Sequence, residues 1–78
     1  MIRLKMLGAL APLQTARDAD GYMEIAANDL TVRELVEMSP AGGTSIKYSA
    51  LVNRRVAVME ARVKDGDDIV LMPLMAGG

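Results

Sequence analysis

The sequence predicts an α+β domain in which one short helix lies across a mixed β-sheet. Three observations carry this. The chain opens on an alternation, "MIRLKML", with Ile2, Leu4 and Met6 on one side and Arg3 and Lys5 on the other. That is the period of a half-buried strand. The segment "TVRELVEM" changes to helical spacing, with Val32, Leu35, Val36 and Met38 as its apolar stripe. The last apolar run, "IVLMPLM", is hydrophobic on both faces, as a strand with neighbours on each side must be.

The elements follow in order. After the first strand, "GALAPLQTARDADG" is punctuated by Gly8, Pro12, Asp18, Asp20 and Gly21 and reads as a long connection that folds Leu10 and Leu13 over the core. "YMEIAA" resumes alternation, with Met23, Ile25 and Ala27 on one face and Tyr22 and Glu24 on the other. It pairs with the first strand as a hairpin with a long loop. Thr31 and Glu34 have the spacing of a capping box, in which hydroxyl and carboxylate each satisfy a free backbone N–H. Ser39-Pro40 and the glycines at 42–43 end the helix over 32–38. A two-turn helix is unstable alone and must dock on the sheet.

"SIKYSALV" holds an extended piece whose end, Leu51-Val52-Asn53, leads into a tight turn at Asn53-Arg54-Arg55. "VAVMEARV" is extended or short-strand structure, and "KDGDD" is a turn with Gly66 suited to a positive φ. Pro73 cannot donate to a ladder, so pairing weakens from there and the chain leaves the sheet near Leu74. Residues 1–75 are thus expected to form the domain, and 76–78 a flexible tail. Ile2, Leu4, Met6, Ile25, Leu35, Val36, Leu51, Ile69 and Leu71 are the expected core, with the strand from Ile69 parallel to that from Ile2.

Composition excludes several kinds of function. With 78 residues and no cysteine or histidine, the chain offers no thiolate nucleophile, no His-based triad and no ordinary zinc site. Nine basic residues against ten acidic ones give no clustered positive surface for nucleic acid, and two tyrosines without Phe or Trp give no stacking platform. Asp65, Asp67 and Asp68 lack the loop length and distal glutamate of an EF-hand and read as a turn, so no metal is expected. Arg3 and Lys5 before "MLGALAPL" imitate a secretory signal, but the apolar run is short for one and cleavage after Ala11 would delete the best strand. No stretch is long enough for a membrane helix, and a cytoplasmic location is expected. Seven methionines point to a plastic, gap-filling core.

The C-terminal half, "LVNRRVAVMEARVKDGDDIVLMPLMAGG", resembles the ubiquitin-like sulfur carriers. These include the small subunit of molybdopterin synthase and the thiamine-biosynthesis sulfur carrier. The matching pieces are Val52-Asn53, Asp65-Gly66-Asp67-Asp68, the strand from Ile69 to Leu74 and the terminal Gly77-Gly78, with "TVRELV" resembling the family's helix start. Pro73 and Ala76 fit the molybdopterin branch better than the thiamine branch. Departures are a shorter helix, Leu71 and Met72 where relatives often carry aromatics, and Arg54 where many have glycine. The resemblance implies a β-grasp fold. It also implies a carrier that is not itself an enzyme and binds no cofactor. An E1-like adenylating enzyme would activate the Gly78 carboxylate with ATP. A sulfur donor would convert it to a thiocarboxylate for a sulfur-accepting synthase subunit.

The residues are compatible with that role. Gly77 and Gly78 have no Cβ, so the stem can lie extended in a narrow channel. Val70, Met72 and Leu74, continuing into Met75 and Ala76, form the outward face of the last strand and its exit. They are either covered by other elements or exposed as a partner-docking patch. Arg3, Lys5 and Arg55 either rim that patch or are ordinary solvated charges. Two rival readings need the same fold: a modifier conjugated through Gly78 to target lysines, and a non-catalytic β-grasp interaction domain.

Overall fold

The computed structural model describes residues 1–74. β1 (Ile2–Met6) alternates buried and half-buried positions as its sequence dictates, enclosing Ile2, Leu4 and Met6. β2 (Met23–Ile25) returns antiparallel beside it, with Ile2 opposite Ile25. After β3 (Leu30–Thr31) comes α1 (Val32–Met38), then β4 (Tyr48–Val52), β5 (Arg55–Ala57), β6 (Arg62–Val63) and β7 (Asp68–Pro73). The main sheet has the order β2-β1-β7-β4-β5, and β3 pairs with β6 in a second, two-stranded sheet. β7 runs parallel to β1, with Leu4 opposite Ile69 and Met6 opposite Leu71, and antiparallel to β4. One helix packed on a mixed sheet with parallel first and last strands is the β-grasp arrangement.

The helix is held at its N-terminus by its own sequence and by its neighbours. Thr31 Oγ1 accepts from Glu34 N–H (3.1 Å), and Glu34 Oε1 accepts from Thr31 N–H (2.9 Å), completing the capping box. Val32 N–H donates to the Ala61 carbonyl and Arg33 N–H to that of Met59, both at 2.9 Å. The first three free amides of α1 are therefore satisfied, two of them by a distant loop. Val32, Leu35 and Val36 complete the core with Ile2, Leu4, Ile69 and Leu71.

Several expectations need correction. Leu51 is half-buried, and Ala50 occupies the core in its place. Ala50 is opposite buried Leu71, whereas Leu51 is opposite Val70 on the other face. Strand parity, not residue size, decides which one enters. Met38, assigned to the helical stripe, is 55% exposed at the last position of α1. The long connection does fold over the core as expected: its 3₁₀ segment, Gly8–Leu13, buries Leu10 and packs half-buried Leu13 against the core. Gln14, also buried, secures this loop: its Oε1 accepts from Met6 N–H (2.8 Å), and its Nε2 donates to the carbonyls of Ala16 and Gly21.

The β4–β5 turn is strained. Asn53 and Arg54 both have positive φ, 50° and 72°. That sign at both central positions belongs to a type I′ hairpin, where Asn-Gly is the favoured pair. Arginine at the second position costs about 1 kcal/mol through its Cβ. Asn53 holds the geometry by donating its side chain to Asp67 Oδ1 (3.0 Å) and accepting from Asp68 N–H (2.9 Å).

Two substitutions test this turn. Arg54→Gly should raise the melting temperature by roughly 2–5 °C, the relief of strain being partly offset by glycine's freedom in the unfolded chain. The buried Asp67 carboxylate is held below its ordinary value of 3.8, first by the Asn53 amide and then, against the cost of burial, by Lys64 N–H. A depressed folded pKa gives stability that is complete above the unfolded value and is lost as pH falls through it toward the folded one. Acid denaturation monitored by circular dichroism should therefore be shallower below pH 3.8 in Asp67→Asn than in the wild type. At neutral pH the variant should be less stable by about 1–3 kcal/mol, since an amide cannot accept at both oxygen positions.

Candidate functional site

Because α1 covers one side of the sheet, the other side of β7 is open among the described residues. Val70 is half-buried there, Met72 is 43% exposed and Leu74 is 56% exposed. These are three of the residues assigned to the docking patch, and the backbone alternation brings them to one face. Met75, Ala76, Gly77 and Gly78, the other assigned positions, lie outside the described residues.

The sheet register extends the patch sideways. Lys5, Val70, Leu51 and Val56 form one row across β1, β7, β4 and β5. Val56 is 75% exposed. Sequence periodicity could not reveal this row, because it depends on which strands become neighbours. Of the proposed rim residues, Arg3 and Lys5 lie on this face. Arg55 does not: it is opposite Val52 and, through it, in line with buried Ile69 on the helix side. Its neighbour Arg54 reaches the open face instead, where it lines a notch with Tyr22, Asn53, Asp68 and Val70.

Arg3 is shared by Asp18 (3.2 Å), Asp20 (3.3 Å) and Asp68 (3.4 Å), with its guanidinium carbon 4.2 Å from the Tyr22 ring centre. Asp18 is held below the usual carboxylate range, chiefly by Tyr22 N–H. Asp67 is committed to its turn, accepting from Lys64 N–H and Asn53. Among the described residues no group of three or more acidic side chains is placed to hold a metal ion, and no helix is long and apolar enough to cross a membrane.

The exit of β7 is anchored on both sides. Pro73 is opposite Tyr48, and Leu74 N–H donates to the Lys47 carbonyl at 2.9 Å, so pairing with β4 continues one residue past the proline. On the other side, pairing with β1 ends at Met6–Leu71, followed by a hydrogen bond from Leu7 N–H to the Leu71 carbonyl. Gly8 closes over Pro73: at φ +54° a Cβ here would lie 2.8 Å from Pro73 Cγ. Gly8→Ala should therefore cost about 1–3 kcal/mol through strain and overlap. The melting temperature should drop by at least roughly 5 °C, and the Leu74 amide should exchange faster with solvent.

No protein-family model and no curated protein matches the chain. Among solved structures it is similar to the crystal structure of SAMP1 from Haloferax volcanii. The two share 23% sequence identity over 99% of this chain and 98% of that one, with a TM-score of 0.65. At that identity the likeness concerns the fold, and together with the strand order it establishes a β-grasp fold.

Proposed function

We propose that this protein is a sulfur carrier in cofactor biosynthesis, of the molybdopterin type in preference to the thiamine type. The observation that carries the reading is the open apolar face of β7, the strand that leads directly to Gly77-Gly78. In this reading Val70, Met72 and Leu74, with Met75 and Ala76, dock an E1-like adenylating enzyme and later a sulfur-accepting synthase subunit. Fully extended, the four residues after Leu74 reach roughly 14 Å. That length suits a carboxylate presented to a site inside another protein.

The chemistry requires nothing from side chains of this chain. A Gly78 carboxylate oxygen attacks the α-phosphorus of ATP on the partner, forming a mixed anhydride and expelling pyrophosphate. A donor at the oxidation level of sulfide then attacks the carbonyl carbon, forming the C–S bond as the C–O bond to AMP breaks. The product thiocarboxylate is anionic and soft, resembling a thiolate in a chain without cysteine. Gly77 provides steric access beside the reacting group.

The test is conversion by the adenylating enzyme of the same genome with ATP and sulfide. Intact mass spectrometry should show one oxygen replaced by sulfur, and fragmentation should place it on Gly78. Adding one residue after Gly78 should abolish the reaction, since near-attack geometry is sensitive to about 1 Å. Gly77→Val should also fail while leaving the melting temperature nearly unchanged. Equal reaction of the extended chain would sink the proposal. Recovery of the chain joined through Gly78 to lysines of other proteins would replace it with the modifier reading.

A further inference from the structure

We infer that Gly8 and Pro73 are positioning residues for the reaction at the Gly78 carboxylate: their contact fixes the point at which the stem of residues 75–78 leaves the sheet. The inference rests on the carrier reading and names the residues of this chain that aim its reactive end.

The two sides of the β7 exit are held by different means. On the β4 side a hydrogen bond holds it, from Leu74 N–H to the Lys47 carbonyl at 2.9 Å. On the β1 side the ladder stops. Arg3 N–H donates to the Asp67 carbonyl and Leu7 N–H to that of Leu71, both at 3.0 Å. In a parallel ladder each such residue accepts in return from the amide two places beyond the carbonyl it donates to. For Leu7 that position is Pro73, which has no N–H. The Leu7 carbonyl accepts instead from Leu10 N–H at 3.0 Å, at the start of the 3₁₀ segment. Pro73 thus ends one ladder and leaves free the acceptor that turns the chain at Gly8.

A steric contact takes the place of the missing bond. At φ +54° a Cβ on Gly8 would lie 2.8 Å from Pro73 Cγ and 3.5 Å from Pro73 Cδ, so the ring sits against bare backbone. Strand alternation puts half-buried Pro73 on the side of Ile69 and Leu71, away from Val70, Met72 and Leu74. The contact therefore lies outside the docking stripe. A change in it moves the root of the stem without removing a docking side chain.

The stem converts that movement into a rate. Docking holds the strand, and the residues after Leu74 carry the carboxylate into the partner. A stem drawn out in a narrow channel has little slack, so displacement of its root reaches the reacting carboxylate almost undiminished. Carbon atoms rest at about 3.5–4.0 Å. The Cβ introduced by Gly8→Ala would therefore push the ring by on the order of 1 Å, a misplacement that can cost about 100-fold in rate.

The experiment is steady-state adenylation with the full chain as the varied substrate of the same-genome adenylating enzyme. Wild type, Gly8→Ala, Pro73→Ala and the double variant are compared well below their melting temperatures, with folding checked by circular dichroism. Gly8→Ala should lower kcat about tenfold and leave KM within about twofold, because the docking residues are intact. Pro73→Ala removes the ring and supplies an N–H for the Leu7 carbonyl, so the exit relaxes toward β1 and kcat should fall about threefold. In the double variant the added Cβ takes the space the ring vacated, and kcat should return to within about twofold of wild type. Its melting temperature should stay below that of wild type, because alanine keeps the positive φ at position 8. Recovery of kcat without recovery of thermal stability is a result that a merely structural contact does not give. An unchanged kcat in either single variant, an effect confined to KM, or a double variant no faster than Gly8→Ala overturns the inference and leaves the carrier reading intact. If Gly8→Ala does not fold, Pro73→Ala decides: a kcat equal to wild type overturns the inference. A wild-type chain that forms no adenylate removes the carrier reading and this inference with it.

Discussion

The architecture depends on one constraint: a seven-residue helix can cover only one side of a five-stranded sheet. The parallel ladder between β1 and β7 makes β7 central, with Leu4 and Met6 on one flank and Ala50 and Val52 on the other. The central residues that alternate inward, including Ile69 and Leu71, join the core that α1 completes, while Val52 and Met23 toward the flanks stay half-buried. On the outward side Arg3 and Lys5 meet the 18–22 loop, whereas Met72 and Leu74 are exposed among the described residues. The exposed Met72 and Leu74 follow from strand parity, which puts them on the side of the sheet away from α1. In a domain with so modest a core, keeping apolar residues on the outer side is a cost in solubility, and the proposed docking role would offset it.

Where a local rule and the tertiary fold agreed, the sequence was readable. Thr31 and Glu34 needed only their spacing to announce the helix start, and the geometry has both reciprocal hydrogen bonds. The alternation of Ile2, Leu4 and Met6 worked equally well because polar residues separate them. Leu51 failed for the opposite reason. "SALV" is apolar at three consecutive positions, so the period is ambiguous and only the neighbour strand sets the parity. The row through Leu51 and Val56 was illegible for the same cause. Gln14 was passed over because a polar residue in a loop gives no periodic signal. Its burial follows from three hydrogen bonds that exist only once the loop has closed.

The two turns at one end of the sheet form a single unit. Asn53 N–H donates to the Asp68 carbonyl, Asp68 N–H donates to Asn53 Oδ1, and Asn53 Nδ2 reaches Asp67. Asp67 in turn caps its own loop through Lys64 N–H. The positive φ values at Asn53 and Arg54 persist because this network over-determines them. The same network ties the posture of Arg54 to the start of β7, so the cation and the apolar stripe are positioned by one piece of backbone.

Under the proposed function the open face must serve two partners in turn, one that activates the terminal carboxylate and one that accepts sulfur. A surface shared in that way cannot be shaped closely to either. The side chains on it fit this demand. Val70 and Leu51 are half-buried and fix the middle of the patch, whereas Met72 and Leu74 project beyond them near the exit. Methionine has three rotatable bonds and a polarisable sulfur and repacks against different surfaces at little cost. The backbone beneath it is fixed, because Gly8, Pro73 and the Leu74–Lys47 hydrogen bond clamp the end of β7 from both sides. Adaptable side chains on an immobile strand let different partners bind the same patch while the point from which the last four residues depart stays constant. For a reaction at the last carboxylate, constancy of that point matters more than tight binding, since distance from the anchor determines whether the reacting atoms meet.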